Sequence, residues 1–428
     1  MTADESIPAA AVAAPQKTGG GGPASFGTSA VQTLLCVYLF ANPFPHVTAV
    51  KEISFYLSVT IAIYLIAARK IGFAFKTPLA LPFALFVAWS CIGLFFALNR
   101  PNTFHDLYAH LLKYMILYYL LVNFFLHEKS LKLLVSTVVL STMAYSVWMI
   151  LYFYLLSGNS MTVKLGLYMD EIPSNIVAIT TLFGTICGFY LCSREAIPWR
   201  KWLFLFATAA SATATLATQS RGALLAMFAA VVLSAARNRK QVLVFILCIL
   251  LLVSALPVKY RLLPGSLIDK VRFDDRTHIW YTFVEMLKDH PIAGIGFGMQ
   301  TYYDVDLLNK YNARVPEKYR QPVPHKAPHN LLVDIAVRTG IVGFVLFLFI
   351  FLRFLRMGYQ LSRGKSTEQE KDWALCFLAS FAAVFIQGMF ENTLSGPPAV
   401  ILYALFALMT ISWRLQERRA GSGKVPSA

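Results

Sequence analysis

PHNLLVDIAVRTGIVGFVLFLFIFL, residues 328–352, reads as one helix written in two styles. From Gly340 onward it is apolar enough to lie in lipid, yet it opens with His329 and carries Asp334 and Arg338 before that run begins. At 1.5 Å of rise per residue, Asp334 lies ~7 Å and Arg338 ~13 Å along a helix that starts at His329. Ionisable groups inside a membrane span are costly and rare, so each marks a candidate functional site. The apolar run decides the fold class, and the polar opening asks what faces it.

The rest of the chain follows the apolar run. Of 428 residues, 57% are hydrophobic and only 14% charged, where a soluble domain carries about a quarter charged. The apolar residues cluster in runs of roughly 17 to 25, the length that crosses a ~30 Å hydrocarbon layer as a helix. An all-α polytopic membrane protein with about twelve transmembrane helices is expected. The spans are placed near 30–48, 52–68, 78–98, 106–126, 133–156, 174–193, 200–219, 222–236, 241–256, 329–352, 373–390 and 397–413. Pro43 and Pro45 interrupt the first. The expected organisation is a disordered cytoplasmic N-terminus (1–28), spans one to nine (29–256), an outer loop (257–328), spans ten to twelve (329–413) and a cytoplasmic tail (414–428). Residues 1–28 are rich in Ala, Pro and Gly and lack the basic-then-apolar pattern of a signal peptide.

Lys and Arg set the orientation. With the N-terminus in the cytoplasm, twenty-one of them fall in cytoplasmic segments, while the short outer loops hold only Lys51, Arg100, Lys164 and Arg221. Most of the +16 net charge is therefore a topology signal, and no nucleic-acid partner is implied. Cys36, Cys91, Cys187, Cys192, Cys248 and Cys376 all lie in expected spans, without the spacing of a metal site. Such buried thiols read as small apolar fillers.

The loop 257–328 carries eleven Lys/Arg and eight Asp/Glu, and long structured loops are usually functional. Within it DDRTHIWYTFVEMLKDHP (274–291) has helical periodicity. Asp274 or Asp275 can cap it, Trp280, Phe283, Val284 and Leu287 share one face, and Pro291 stops it. Arg276 in the first turn opposes the helix dipole. It either pairs with Asp274 or Asp275, or joins the helix N-terminus in holding an anion. GIGFG (294–298) lacks the βαβ setting of a phosphate-binding loop and reads as a turn.

The remaining ionisable groups fall in outer halves of spans. Asp106, His110 and Lys113 share one face of the fourth span, Arg221 sits at the turn before the eighth, and Glu391 ends the eleventh beside Asn392. Each has a plain reading. Asp334 and Arg338, at i and i+4, can neutralise each other, Lys113 can pair with Asp106, His329 can be an ordinary interfacial histidine, and Arg221 can snorkel to headgroups. The plain readings leave unexplained why several cations and a histidine gather on one side. A carrier needs polar groups near the midplane with access to both faces, so a one-sided cluster favours an enzyme whose pocket opens outward. Lys113, His110, Asp334, Arg338 and Glu391 are candidate pocket residues. Arginines grip diphosphate in bidentate fashion and would stabilise charge on a departing diphosphate. A histidine would take the proton of an attacking sugar hydroxyl.

SRGA (220–223), RTHIW (276–280) with HPIAGIGFG (290–298), and HN followed by TGIVG (329–343) resemble the bacterial O-antigen ligases, within the superfamily of O-antigen polymerases and ligases. The ordered motifs, the twelve-span layout and the large loop before span ten extend that resemblance over nearly the whole chain. It implies a glycosyltransferase of C-type architecture in the bacterial inner membrane, with a periplasmic loop and active site. Such an enzyme moves O-antigen glycan from undecaprenyl diphosphate to the lipid A–core oligosaccharide, with inversion and without cofactor, metal ion or nucleotide sugar. By the same resemblance His329 activates the acceptor hydroxyl, while Arg221 and Arg276 bind the donor diphosphate; Arg338 departs from the pattern. Against the metal-free expectation, Asp304 and Asp306 form a D-x-D pattern able to ligate a divalent cation, whose plainer reading is a solvated acidic pair. The nearer rival function is O-antigen polymerase, with the same donor and another lipid-linked glycan as acceptor. A protein oligosaccharyltransferase is disfavoured by the ~15 residues after the last span, set against the longer C-termini the resemblance leads one to expect. A solute transporter is disfavoured by bare inner halves and no evident internal repeat.

Overall fold

A computed structural model of the protein describes residues 23–166, 172–235, 243, 274–364 and 366–422. Among these residues there are helices and turns and no strands. Although the first span, expected over 30–48, ends at Ala41, ahead of Pro43 and Pro45, every expected span that falls on described residues overlaps a helix. These are α1 (Pro23–Ala41), α2 (Thr48–Ala67), α3 (Ala80–Phe96), α4 (Arg100–Phe124), α5 (Glu128–Leu156), α6 (Ser174–Arg194), α7 (Pro198–Ala217) and α8 (Arg221–Ala235). The loop contributes α9 (Asp274–Asp289) and α10 (Val305–Asn312), followed by α11 (Leu331–Arg363), α12 (Glu368–Gly388) and α13 (Gly396–Ser422). The expected ninth span, 241–256, lies outside the described residues apart from Leu243.

Six of these helices, α2, α4, α5, α6, α11 and α13, are long and apolar enough to cross a membrane; the protein is a multi-pass membrane protein. Shorter apolar helices run over Ser25–Ala41, Ala80–Phe96 and Arg221–Ser234. Their large side chains divide between a shared core, with Phe83, Phe351, Phe354, Phe381 and Phe406 in ring contact across α3, α11, α12 and α13, and an exposed set such as Tyr56, Phe95, Trp202, Phe228 and Leu352. That exposure is what lipid-facing helices show. α12 packs against α6, α8, α11 and α13, so it is the hub around which the others are placed.

α11 is not one straight helix. Gly340 has φ 68° and ψ −178° in its interior, a conformation that strains any residue with a Cβ, and a Cβ there would meet the Ile292 carbonyl oxygen at 2.0 Å. The kink breaks the hydrogen-bond ladder where an unsatisfied peptide group is expensive. HPIAGIGFG restores it. Ile295 N–H donates to Val337 O (3.0 Å), Gly296 N–H to Arg338 O (3.1 Å) and Ile341 N–H to Pro291 O (2.8 Å), while Trp89 Nε1 donates to Thr339 O (2.8 Å). The glycine-rich turn expected at 294–298 thus seals a kinked helix, and two motifs far apart in sequence form one structural unit.

Candidate active site

Asn330 caps α11, its side chain accepting from Leu332 and Val333 N–H. The residue before it, His329, has φ 46°, a left-handed conformation that costs a non-glycine residue about 1–3 kcal/mol and persists only where its surroundings enforce it. Three contacts do so. Trp280 Nε1 donates to the Pro328 carbonyl (3.1 Å), the Asn330 cap follows directly, and His329 Nδ1 lies 3.0 Å from Glu391 Oε1. The tryptophan of RTHIW therefore fixes the backbone that presents the histidine.

Glu391 lies between α12 and α13 and is almost fully buried. Its Oε1 also accepts from Asn392 N–H (3.1 Å), and its Oε2 from Asn175 Nδ2 (3.1 Å). Burial pushes the carboxyl upward, but the hydrogen bond and charge of His329 and the Asn175 and Asn392 donors outweigh it and hold the group below its ordinary range. An ionised carboxylate only accepts, so Nδ1 of the neutral imidazole carries the proton and Nε2 is the acceptor. This is the tautomer and orientation a general base requires.

The chain of bonds continues inward. Asn175 Oδ1 accepts from Ser220 Oγ (2.9 Å), which in turn accepts from Gln387 Nε2 (3.2 Å) and, at the start of α8, from Ala223 N–H (3.4 Å). Ser220 precedes Arg221, an exposed residue in the first turn of α8. The neighbouring Gly222 is a close-approach position, since a Cβ there would sit 2.5 Å from the Phe390 ring. SRGA, Asn175, Glu391 and His329 are one connected set.

Other expected site residues go elsewhere. Arg276 stands in the first turn of α9, and its side chain lies outside the described residues, as do those of Asp274 and Asp275. Asp334 and Arg338 pair with each other (3.2 Å) and are fully enclosed; Arg338 Nε donates to Phe297 O (2.8 Å) and its guanidinium lies 4.1 Å from the Phe297 ring centroid. They line no open cavity, because they clamp the glycine-rich turn onto α11. Lys113 does not pair with Asp106. A π-helical stretch, Leu107–Leu112, adds a residue to the turn and rotates Lys113 off the Asp106 face, and Lys113 Nζ meets Glu52 on α2 at 2.6 and 2.7 Å. Asp106 instead accepts from Met299 N–H (2.8 Å) and faces His105 (2.9 Å) and His110 (3.7 Å). Asp304 is the N-cap of α10, accepting from Leu307 N–H at 3.0 Å, and Asp306 occupies that helix's first turn. Among the described residues no three His, Cys, Asp or Glu are grouped to hold a metal ion.

Asn175 and Gln387 are members that reading the sequence missed. Their signal was an amide inside an otherwise apolar helix, where a polar side chain must find a partner.

Residues 205–348 match the O-antigen ligase family. This stretch belongs to the O-antigen ligase superfamily. It contains SRGA, RTHIW, HPIAGIGFG, HN and TGIVG, the segments that form the kink seal and present His329. Asn175 and Glu391 lie outside it, so the O-antigen ligase segment is completed by groups from the flanking helices. The family brings an O-antigen ligase or polymerase type of function, a glycosyltransferase-like activity and a lipid-linked O-antigen substrate. No curated protein matches the chain.

Proposed function

We propose that the protein is an O-antigen ligase of the bacterial inner membrane, with the His329 end of the bundle facing the periplasm. It transfers glycan from undecaprenyl diphosphate to a sugar of the lipid A–core oligosaccharide. The observation that carries this reading is the continuous hydrogen-bonded set from the His329 imidazole through Glu391 and Asn175 to Ser220, beside Arg221. It joins a base oriented for proton abstraction to an arginine suited to a phosphate.

In the proposed reaction the acceptor hydroxyl oxygen forms a bond to the donor's anomeric carbon. The bond from that carbon to the diphosphate oxygen breaks, and its electron pair leaves on the diphosphate, held by Arg221 and Arg276. The hydroxyl proton passes to His329 Nε2, and the imidazolium is stabilised by the Glu391 carboxylate. A single displacement inverts the anomeric configuration. The capping role of Asp304 supports a reaction without a metal ion, and transfer is expected to persist in chelator.

The test is a purified, reconstituted transfer assay with polyprenyl-diphosphate glycan as donor, with and without lipid A–core, for the native chain and His329→Ala. Product that requires lipid A–core and is lost in the variant is expected. Glycan lengthened on the polyprenyl carrier without lipid A–core would make the protein a polymerase. No transfer at all would return it to the transporter reading.

A further inference from the structure

A cleft of about 500 Å³ opens beside His329, lined by Tyr303, Val323, Pro324, His325, Lys326, Ala327 and His329 itself. The volume is within the range of small-ligand sites. Its wall is a built feature, fixed at both ends. At one end Asn312 Nδ2 donates to Gln321 O (2.7 Å) and Gln321 N–H returns a bond to Asn312 Oδ1 (3.1 Å). The Gln321 side chain then accepts from His325 N–H (3.2 Å) and donates to His278 O (3.0 Å). At the other end Trp280 holds the Pro328 carbonyl. Pro322, Pro324 and Pro328 stiffen the stretch between. A wall fixed before binding loses little entropy on ligand capture.

The chemistry of the lining is specific. Tyr303 is 60% exposed and offers a ring face, and Lys326 Nζ lies 5.6 Å from that ring's centroid. Lys326 has no carboxylate paired with it among the described residues. From Lys318 to Val333 the chain holds Lys318, Arg320, His325, Lys326 and His329 and no acid. An aromatic face beside an unpaired ammonium suits a saccharide that carries negative charge, and the imidazole at the cleft's edge is the proposed base.

We infer that this cleft is the acceptor subsite and that it selects a saccharide bearing an anionic substituent, a phosphate or a carboxylate, with Tyr303 stacking on the sugar and Lys326 meeting the anion. The inference rests on the transferase reading above. Lys326 and Tyr303 determine specificity here and take no part in bond making.

Direct binding tests it without requiring turnover. Water-soluble core oligosaccharide is titrated calorimetrically into the purified full-length protein, for the native chain, Lys326→Glu, Tyr303→Ala and Tyr303→Trp. Lys326→Glu is expected to weaken binding at least tenfold, and to raise the acceptor KM by a similar factor while kcat and the donor KM hold. Tyr303→Ala weakens it and Tyr303→Trp, which keeps a stacking face, restores it. Enzymatic dephosphorylation of the saccharide, or in a separate arm esterification of its carboxylates, should abolish the difference between native and Lys326→Glu and so name the anion. Equal binding by native and Lys326→Glu with untreated saccharide would overturn the inference, as would a change in donor KM instead of acceptor KM. Saccharide binding that depends on Lys326, in a protein that transfers nothing, would defeat the transferase reading and leave the anionic saccharide site standing.

Discussion

The opening turns of α11 carry one pairing of a basic side chain with a carboxylate and are joined to a second, and the two have opposite uses. Arg338 and Asp334 are 1% and 0% exposed, with the guanidinium committed to the Phe297 carbonyl and ring. His329 is 36% exposed and Glu391 9%, so one partner is buried and positioned while the other meets solvent at the mouth of a cleft. Both pairs sit where charge is costly. What separates a fastener from a reaction centre is whether the pair leaves one polar atom turned toward open space.

That contrast can be broken by substitution. The largest effect expected is on transfer by His329→Ala, a loss of about 10²–10⁴-fold from the removal of general base catalysis, with only a modest fall in the thermal unfolding midpoint, since alanine keeps the left-handed strain and Glu391 loses one of its partners. A fall in midpoint with transfer retained would make His329 structural. Arg338→Ala should do the reverse. Breaking a buried pair costs about 3–5 kcal/mol, read as a lower midpoint in detergent, whereas Asp334→Leu combined with Arg338→Met should recover part of the loss; an Arg338→Ala protein with native stability and no transfer would move this pair into the reaction.

Glu391→Gln keeps the shape and removes the charge. It is expected to lower kcat by more than tenfold without raising the acceptor KM. The linkage sign is set by a carboxyl held below its ordinary value of 4.5. Its contribution to stability is complete above 4.5 and is lost as pH falls through the depressed folded value. The native midpoint should therefore drop on acidification in that window by more than the Glu391→Gln midpoint does, and parallel curves would remove the Glu391 charge from the account. The smallest effect belongs to Trp280→Phe, which deletes one hydrogen bond to the Pro328 carbonyl, worth about 1 kcal/mol or a several-fold fall in kcat/KM in the transfer assay.

The helices were legible because lipid imposes a length and a composition on each span, and α5, α6 and α12 start or stop within a few residues of the apolar runs. The site was legible in pieces. His329 stood out as a polar residue at the head of an apolar helix, and Glu391 as an acid at a helix end. Their pairing was not legible, since 62 residues separate them and only packing around α12 brings the ends together. Lys113 shows the complementary failure. Residue spacing assumes 3.6 per turn, and a single π-helical stretch changes which face a side chain joins. The fate of Arg338 depended on a backbone carbonyl of residue 297, and carbonyls carry no sequence signal.

The seal on the Gly340 kink also bears on how the chain is made. The segment that supplies three of its four hydrogen bonds, residues 291–296, and Trp89, which supplies the fourth, both precede α11 and leave the ribosome first, so the partners for the freed carbonyls exist before the broken helix does. Without that turn the kinked α11 would carry unpaired peptide groups into the bilayer, which is costly. Loop and helix are in this sense a single unit of membrane insertion, and shortening the loop would be paid for in biogenesis before it was noticed in catalysis.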